Sequence, residues 1–451
     1  MNSKEVAIII DAIATKPMKR LLPALLVLTS LWSCQSEEPA EVQPATIHAF
    51  MQEVTDRMVH DIFSPPVVSR VYAYVSTAGY EAYRPGHPEL LTLAGQLHGL
   101  TEIPAPSRAD LDHGVAAIAA MNVIAVELIF SYEDMQAYGD SVLAYYRTSA
   151  PDGDRFDASV AYGEEVGAHI KSWMAQDNYA QMRTFPKYEI TDAPMRWRPT
   201  PPNYMDGIEP HWREHRTWML DSAQQFKPAR PSEPSLDTTS QFWKEVLEVY
   251  TIRRESTDEQ EQIAQFWDCN PYMVAHRGHV MTSVKKISPG GHWLGITKTA
   301  GLKAGLDLTA TIELYARVSI AMADAFISCW DEKYRSNYIR PETVINEHLD
   351  PNWLPLLQTP PFPEYTSGHS VVSGAASEIL THYLGDSFAF TDSTERPFGL
   401  PDRSYHNFYQ ARDEAAVSRL YGGIHFRPAI DNGVKQGTAV GALVVQRLKT
   451  R

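Results

Sequence analysis

The chain of 451 residues is 44% hydrophobic and 21% charged, a composition that buries a large core and excludes a disordered chain. A formal net charge of -15 excludes nucleic acid, or an anionic membrane surface, as the partner of a whole face, because meeting many phosphates needs a basic excess. Any anion that binds must meet a local cluster of cations.

Residues 1–17 read as an extension upstream of the true start at Met18. From there "MKRLLPALLVLTSLWSC" carries Lys19 and Arg20, an apolar run from Leu21 to Trp32 and small Ser33 before Cys34, the layout of an export signal. The run is shorter than the roughly 20 apolar residues of a spanning helix. Residues 18–33 resemble a bacterial lipoprotein signal, which implies lipidation of Cys34 and a tether over 34–45 that begins "CQSEE". Trp32 departs from the small or hydroxylated residue usual two before that cysteine, and a plain cleaved signal is the alternative. The expectation is an exported protein, anchored by lipid in the periplasm or at the outer membrane or cell surface. The remaining thiols, Cys269 and Cys329, read as small buried hydrophobes rather than a disulfide framework.

Region 46–184 has apolar residues at three- and four-residue spacing in "TIHAFMQEVTDRMVHDIF", "SPPVVSRVYAYVSTAGYEAY", "DHGVAAIAAMNVIAVELIF" and "ASVAYGEEVGAHIKSWMA", which predicts packed helices. Region 185–235 is rich in proline and tryptophan, as in "RWRPTPPNYMDGIEPHW". Each proline removes a donor and restricts its predecessor, so this stretch is a long ordered loop, of the kind that often forms a lid or rim. Region 236–451 returns to helical spacing and reads as a helical bundle. No alternating strand run stands out, and the fold class is all-α. "HRGH", with His276 and His279, has a metal-ligand spacing available on a helix, but without clustered carboxylates or thiolates it predicts no metal.

Three C-terminal motifs carry chemistry. In "KYRSNYIRP", Lys333 and Arg340 stand seven residues apart, nearly two turns, so a helix would put both on one face, with Pro341 placing Arg340 at its end. A solvated basic face is the plainer explanation. In "TSGHS", Ser367 is placed to cap a helix or bind an oxyanion, Gly368 to let the backbone come close, and His369 to pass a proton near neutral pH. In "SRLYGGIHFRPAID", a helix over about 411–420 stops at Gly422 and Gly423, with Arg419 in its last turn and His425 just beyond. Brought together, the three cations, the serine, the helix N-terminus and the two imidazoles match what a tetrahedral oxyanion requires. Buried without an anion, the cations would each lose several kcal/mol of hydration.

The ordered set K-x6-RP, SGH and SR-x5-H resembles the signature of the superfamily that joins type-2 phosphatidic acid phosphatases, bacterial acid phosphatases and vanadium-dependent haloperoxidases. It covers about the last quarter of the chain, Lys333 to Asp431. The resemblance implies that Lys333, Arg340, Ser367, Gly368 and Arg419 hold the oxyanion, that His425 bonds its central atom, and that His369 is the acid–base group. Two positions depart from the phosphatase pattern: Thr366 stands where proline usually precedes SGH, and Ala429 where an aspartate is usual, leaving Asp431 to orient His425.

Phosphate and vanadate share a shape, so the motifs alone leave the activity open. A phosphatase would use His425 to attack a phosphate ester and His369 to protonate the leaving alcohol. A haloperoxidase would hold vanadate on His425 and oxidise halide with hydrogen peroxide. The long helical N-terminal part, the lack of spanning helices in the body and an apolar Phe362 in "PPFPEY" resemble the haloperoxidase branch more closely. A non-catalytic oxyanion-binding protein is the third alternative, distinguished by whether His369 is needed for turnover.

Overall fold

The computed structural model describes residues 41–451 except 151, 192, 278 and 279, and leaves the side chains of 275–281 and 283 undescribed. The signal segment and Cys34 lie outside the described residues. The helices are α1 (Pro44–His60), α2 (Pro65–Tyr83), α3 (His113–Leu128), α4 (Tyr132–Ser149), α5 (Gly153–Met174), α6 (Tyr179–Met182), α7 (Gln241–Arg254) and α8 (Asp258–Phe266). After the hairpin β1 (Val274–Arg277) and β2 (Val280–Ser283) come α9 (Pro289–Ala304), α10 (Leu308–Ser336), α11 (Pro341–His348) and α12 (Gly368–Leu384). A second hairpin, β3 (Phe390–Asp392) and β4 (Arg403–Tyr405), precedes α13 (Phe408–Tyr421) and α14 (Arg427–Arg447).

The all-α expectation holds, with two small departures. Both hairpins are two-stranded and antiparallel, pairing Val274 with Ser283 and Phe390 with Tyr405. His276 and Arg277 of "HRGH" therefore lie on β1 and not on a helix; Gly278 and His279 lie outside the described residues. A helix not predicted from spacing, α4, has only Met135, Gly139 and Tyr146 buried, so its apolar stripe is too thin to show in the sequence.

Side-chain oxygens start the central helices. Ser64 accepts from the Val67 N–H ahead of two prolines to open α2, Asp307 accepts from Ala310 to open α10, and Ser367 accepts from Ser370 to open α12. Every residue of α2 is buried, and α10 packs against both α2 and α12, so one hydrophobic core runs from Val42 to Leu448 through both helical regions. Glycines let α12 and α14 approach closely. A Cβ on Gly437 would lie 1.9 Å from the Val371 carbonyl oxygen, and one on Gly374 would lie 2.8 Å from the Thr438 nitrogen.

Between α6 and α7 the described residues form a long connection without an α-helix, in which Trp197, Trp212 and Trp218 are buried. The Asp324 carboxylate of α10 accepts from the N–H groups of Trp218, Met219 and Leu220 at 2.7–3.0 Å, which ties the loop to the core. Nearer the C-terminus of α10, the Ile208 carbonyl accepts from Trp330 Nε1 and Tyr334 Oη, while the Ile208 N–H donates to Pro361. The loop thus braces the two segments that carry the site. Among the described residues no helix is long and apolar enough to cross a membrane.

Candidate active site

Lys333 projects from the last full turn of α10, which Asn337 ends in a left-handed conformation (φ 45°, ψ 47°). Because the helix stops there, Arg340 does not share its face with Lys333, contrary to the seven-residue spacing. Arg340 is instead the N-cap residue of α11, with Pro341 in the first turn. The two cations converge from separate helices, and both are fully buried.

Their donors are fixed by backbone carbonyls. Lys333 Nζ donates to Pro363 and Glu364 at 2.9 and 3.1 Å and lies 5.0 Å from the centre of the Phe362 ring. Arg340 donates to the carbonyls of Phe362 (3.0 Å) and Ile424 (2.8 Å), and its Nη1 reaches His425 Nε2 at 3.2 Å. Arg419, in the last turn of α13 as predicted, donates to Ser418 Oγ and the Ala264 carbonyl. Burial pushes Lys333 down to about 7 and Arg340 down to about 10, and lowers Arg419 as well.

A guanidinium only donates, so Nε2 of His425 is an acceptor and carries no proton. The proton of the neutral ring is on Nδ1, which donates to Oε1 of Glu364 at 2.9 Å. That oxygen also accepts the Phe426 N–H at 2.9 Å. Burial holds His425 well below the usual imidazole range, and the neighbouring Arg340, Lys333 and Arg419 push it further down. Burial also raises Glu364 to about 8, against the pull of Arg340 and Lys333.

Asp431, expected to orient His425, is exposed on α14; Glu364 takes that role. A lone acid in a proline-rich loop gives no sequence signal of burial, although Glu364 stands only three residues before Ser367. Ser367 is fully buried and caps α12. A Cβ at Gly368 would meet only Trp330, at 3.5 Å, so it would occupy open pocket and not protein.

The pocket is walled by Trp330, Phe362, Gly368, His369, Arg419 and His425. Nε2 of His369 is buried there without a hydrogen-bond partner. Burial, then the charge of Arg419, holds this imidazole well below its usual range. The sequence-predicted residues therefore meet at one place, except Asp431. The arrangement offers an unprotonated nitrogen, a second neutral imidazole and three cations to one small ligand.

The C-terminal part of the chain, residues 313–351 and 345–451, matches a family model described as the VCPO second helical-bundle domain. Over 85 residues the chain is 35% identical to vanadium chloroperoxidase from Curvularia inaequalis, a match that takes in 16% of this chain and 14% of that protein's length. A solved bacterial vanadium-dependent iodoperoxidase is 52% identical, superposes with a TM-score of 0.87, and is covered over 99% of its length by 92% of this chain. A holo-type bacterial vanadium-dependent chloroperoxidase shares the fold at 16% identity, with a TM-score of 0.64 over 91% of this chain and 94% of that one. With likeness to the iodoperoxidase along nearly the whole of both chains, and the pocket built as described, the chain belongs to the vanadium-dependent haloperoxidases.

Proposed function

We propose that the protein oxidises iodide with hydrogen peroxide and one proton from solvent to hypoiodous acid and water, using vanadate held by Lys333, Arg340, Ser367, Gly368, Arg419 and His425. The chemistry of the donor set supports vanadate. Lys333 and Arg340 share two buried carboxylates, Glu364 and Glu342, since Glu332 is paired with Arg335, and Asp268, which pulls on Arg419, is itself paired with Lys286. An oxyanion supplies the missing negative charge and accepts the guanidinium and backbone donors. Iodide is favoured as the halide by the likeness to the iodoperoxidase.

Bound vanadate supplies a Lewis-acidic centre that activates peroxide toward two-electron oxidation of halide. The protein's own residues do the rest. His425 offers the Nε2 lone pair, and Glu364 keeps that nitrogen free of a proton. His369, a neutral ring in the pocket wall whose Nε2 has no hydrogen-bond partner, accepts a proton from hydrogen peroxide and returns it to the departing hydroxide, which leaves as water. Trp330 and Phe362 exclude bulk water from one side, which strengthens each charge interaction within.

The observation that carries this proposal is the meeting of three buried cations with a proton-free Nε2 of His425. Protein stripped of oxyanion should oxidise iodide only after vanadate is added, and phosphate, the same shape, should compete. Hydrolysis of a phosphate ester with no vanadate-dependent iodide oxidation would overturn it. His369→Ala should keep vanadate affinity and lose about 10²- to 10⁴-fold in turnover. Equal turnover in that variant would remove His369 from the mechanism. Export and anchoring through Cys34 form part of the same proposal, supported by the signal-like 18–33 stretch; mass spectrometry finding an unmodified chain that begins at Met1 would exclude both.

A further inference from the structure

Beside the oxyanion pocket, three segments bring a second set of donor atoms together. Cys269 comes from the loop after α8, His292 from the first turns of α9, and Glu395 from the turn after β3. Cys269 Sγ lies 3.4 Å from Nδ1 of His292 and 3.9 Å from Oε1 of Glu395, and Nδ1 lies 3.0 Å from that same oxygen. All three residues are buried, and among the described residues this is the one group of three or more such side chains whose ligand atoms close on each other. On the other side of the ring, His292 Nε2 meets Oδ2 of Asp392 at 2.7 Å, and Trp267 stacks on the ring face at 4.3 Å.

We propose that Cys269, His292 and Glu395 bind a divalent transition-metal ion, zinc by preference, at a site distinct from the oxyanion pocket. Tetrahedral zinc bonds sulfur at ~2.3 Å and nitrogen or oxygen at ~2.0 Å, which spreads its donors about 3.3–3.6 Å apart. The observed triangle of 3.4, 3.0 and 3.9 Å brackets that spread before any ion draws it in. Asp392 completes the pattern. A ligating imidazole almost always gives its other N–H to a carboxylate, which fixes ring and tautomer, and Asp392 does this with nothing left to move. A thiolate, an imidazole and a carboxylate together suit zinc and not calcium or magnesium, which take oxygen ligands.

Binding replaces two protons. The thiol proton of Cys269 and the proton shared between His292 Nδ1 and Glu395 leave to solvent, while the Nε2 proton stays with Asp392. Three protein ligands leave the fourth position to a water molecule. Cys269 also borders the oxyanion pocket, so the ion would fix the loop that walls it.

The test does not depend on vanadate. Protein dialysed against a chelator is titrated with Co²⁺ and followed by absorption. One cobalt ion per chain is expected, with the ultraviolet thiolate–cobalt band and the visible bands of a tetrahedral ion, and added Zn²⁺ should displace it. Cys269→Ser should lose the thiolate band, and Glu395→Gln should weaken binding about tenfold or more. Absence of cobalt bands in the wild-type chain at one equivalent would overturn the site, leaving His292 a charged bridge between two carboxylates. So would a thiolate band that persists unchanged in Cys269→Ser.

Discussion

Glu364 grips His425 from behind the pocket: Oε1 takes the Nδ1 proton at 2.9 Å and the Phe426 N–H at the same distance. The carboxylate thereby leaves Nε2 as the bare nitrogen that faces the oxyanion site. In Glu364→Gln the amide can donate to Nδ1, which moves the ring proton to Nε2 and blocks it. Vanadate affinity should fall about 10- to 100-fold, the usual cost of losing a carboxylate that orients a metal-bound histidine. Titration of the folded variant showing wild-type affinity would mean that the tautomer is set elsewhere.

Lys333 makes oxyanion binding sensitive to pH. Without an anion, burial holds its ammonium at about 7. A bound anion raises that value, so binding takes up a proton at pH above about 7 and affinity falls as pH rises, by at most about tenfold per unit for one proton. Glu364, held up to about 8 by burial, acts in the same direction as it gains its charge. Tungstate, a dianion throughout this range, is the suitable probe. Its affinity should be flat below about pH 7 and fall above it, and Lys333→Met should abolish the fall between about 7 and about 8. Affinity that rises with pH would contradict this assignment.

The seating of α12 on α14 holds the SGH segment in place. Gly437→Ala would put a methyl group 1.9 Å from the Val371 carbonyl, so the helices must part, at a cost of about 1–3 kcal/mol or more. Thermal unfolding should shift down by several degrees, and vanadate affinity should fall with it. Gly290→Ala is the control, since its methyl would meet nothing closer than 3.9 Å. An equal loss in both variants would show that close helix approach is not the cause.

How much of this was legible in the sequence differs residue by residue. Ser367, Arg419 and His425 sit where local rules put them, because a serine cap and a Gly-Gly stop act within one turn of chain. The break between Lys333 and Arg340 depends on Asn337 adopting a left-handed conformation, to which an asparagine in a sequence only inclines. Glu364 was invisible because its burial is set by Arg340 and His425, both distant in the chain or beyond a helix end. The pairing of His292 with Asp392 spans 100 residues and leaves no local trace. Strands of three or four residues are likewise too short to show a period.

The central claim is that one oxyanion is bonded through His425 within the cage of Lys333, Arg340 and Arg419. X-ray absorption at the vanadium edge, on vanadate-loaded protein and its His425→Ala variant, tests it most directly. The expected spectrum contains one imidazole nitrogen beside the oxygens, with its outer-ring scattering, and the variant lacks that component. An all-oxygen shell in the wild-type protein, or the same spectrum from both, would contradict it.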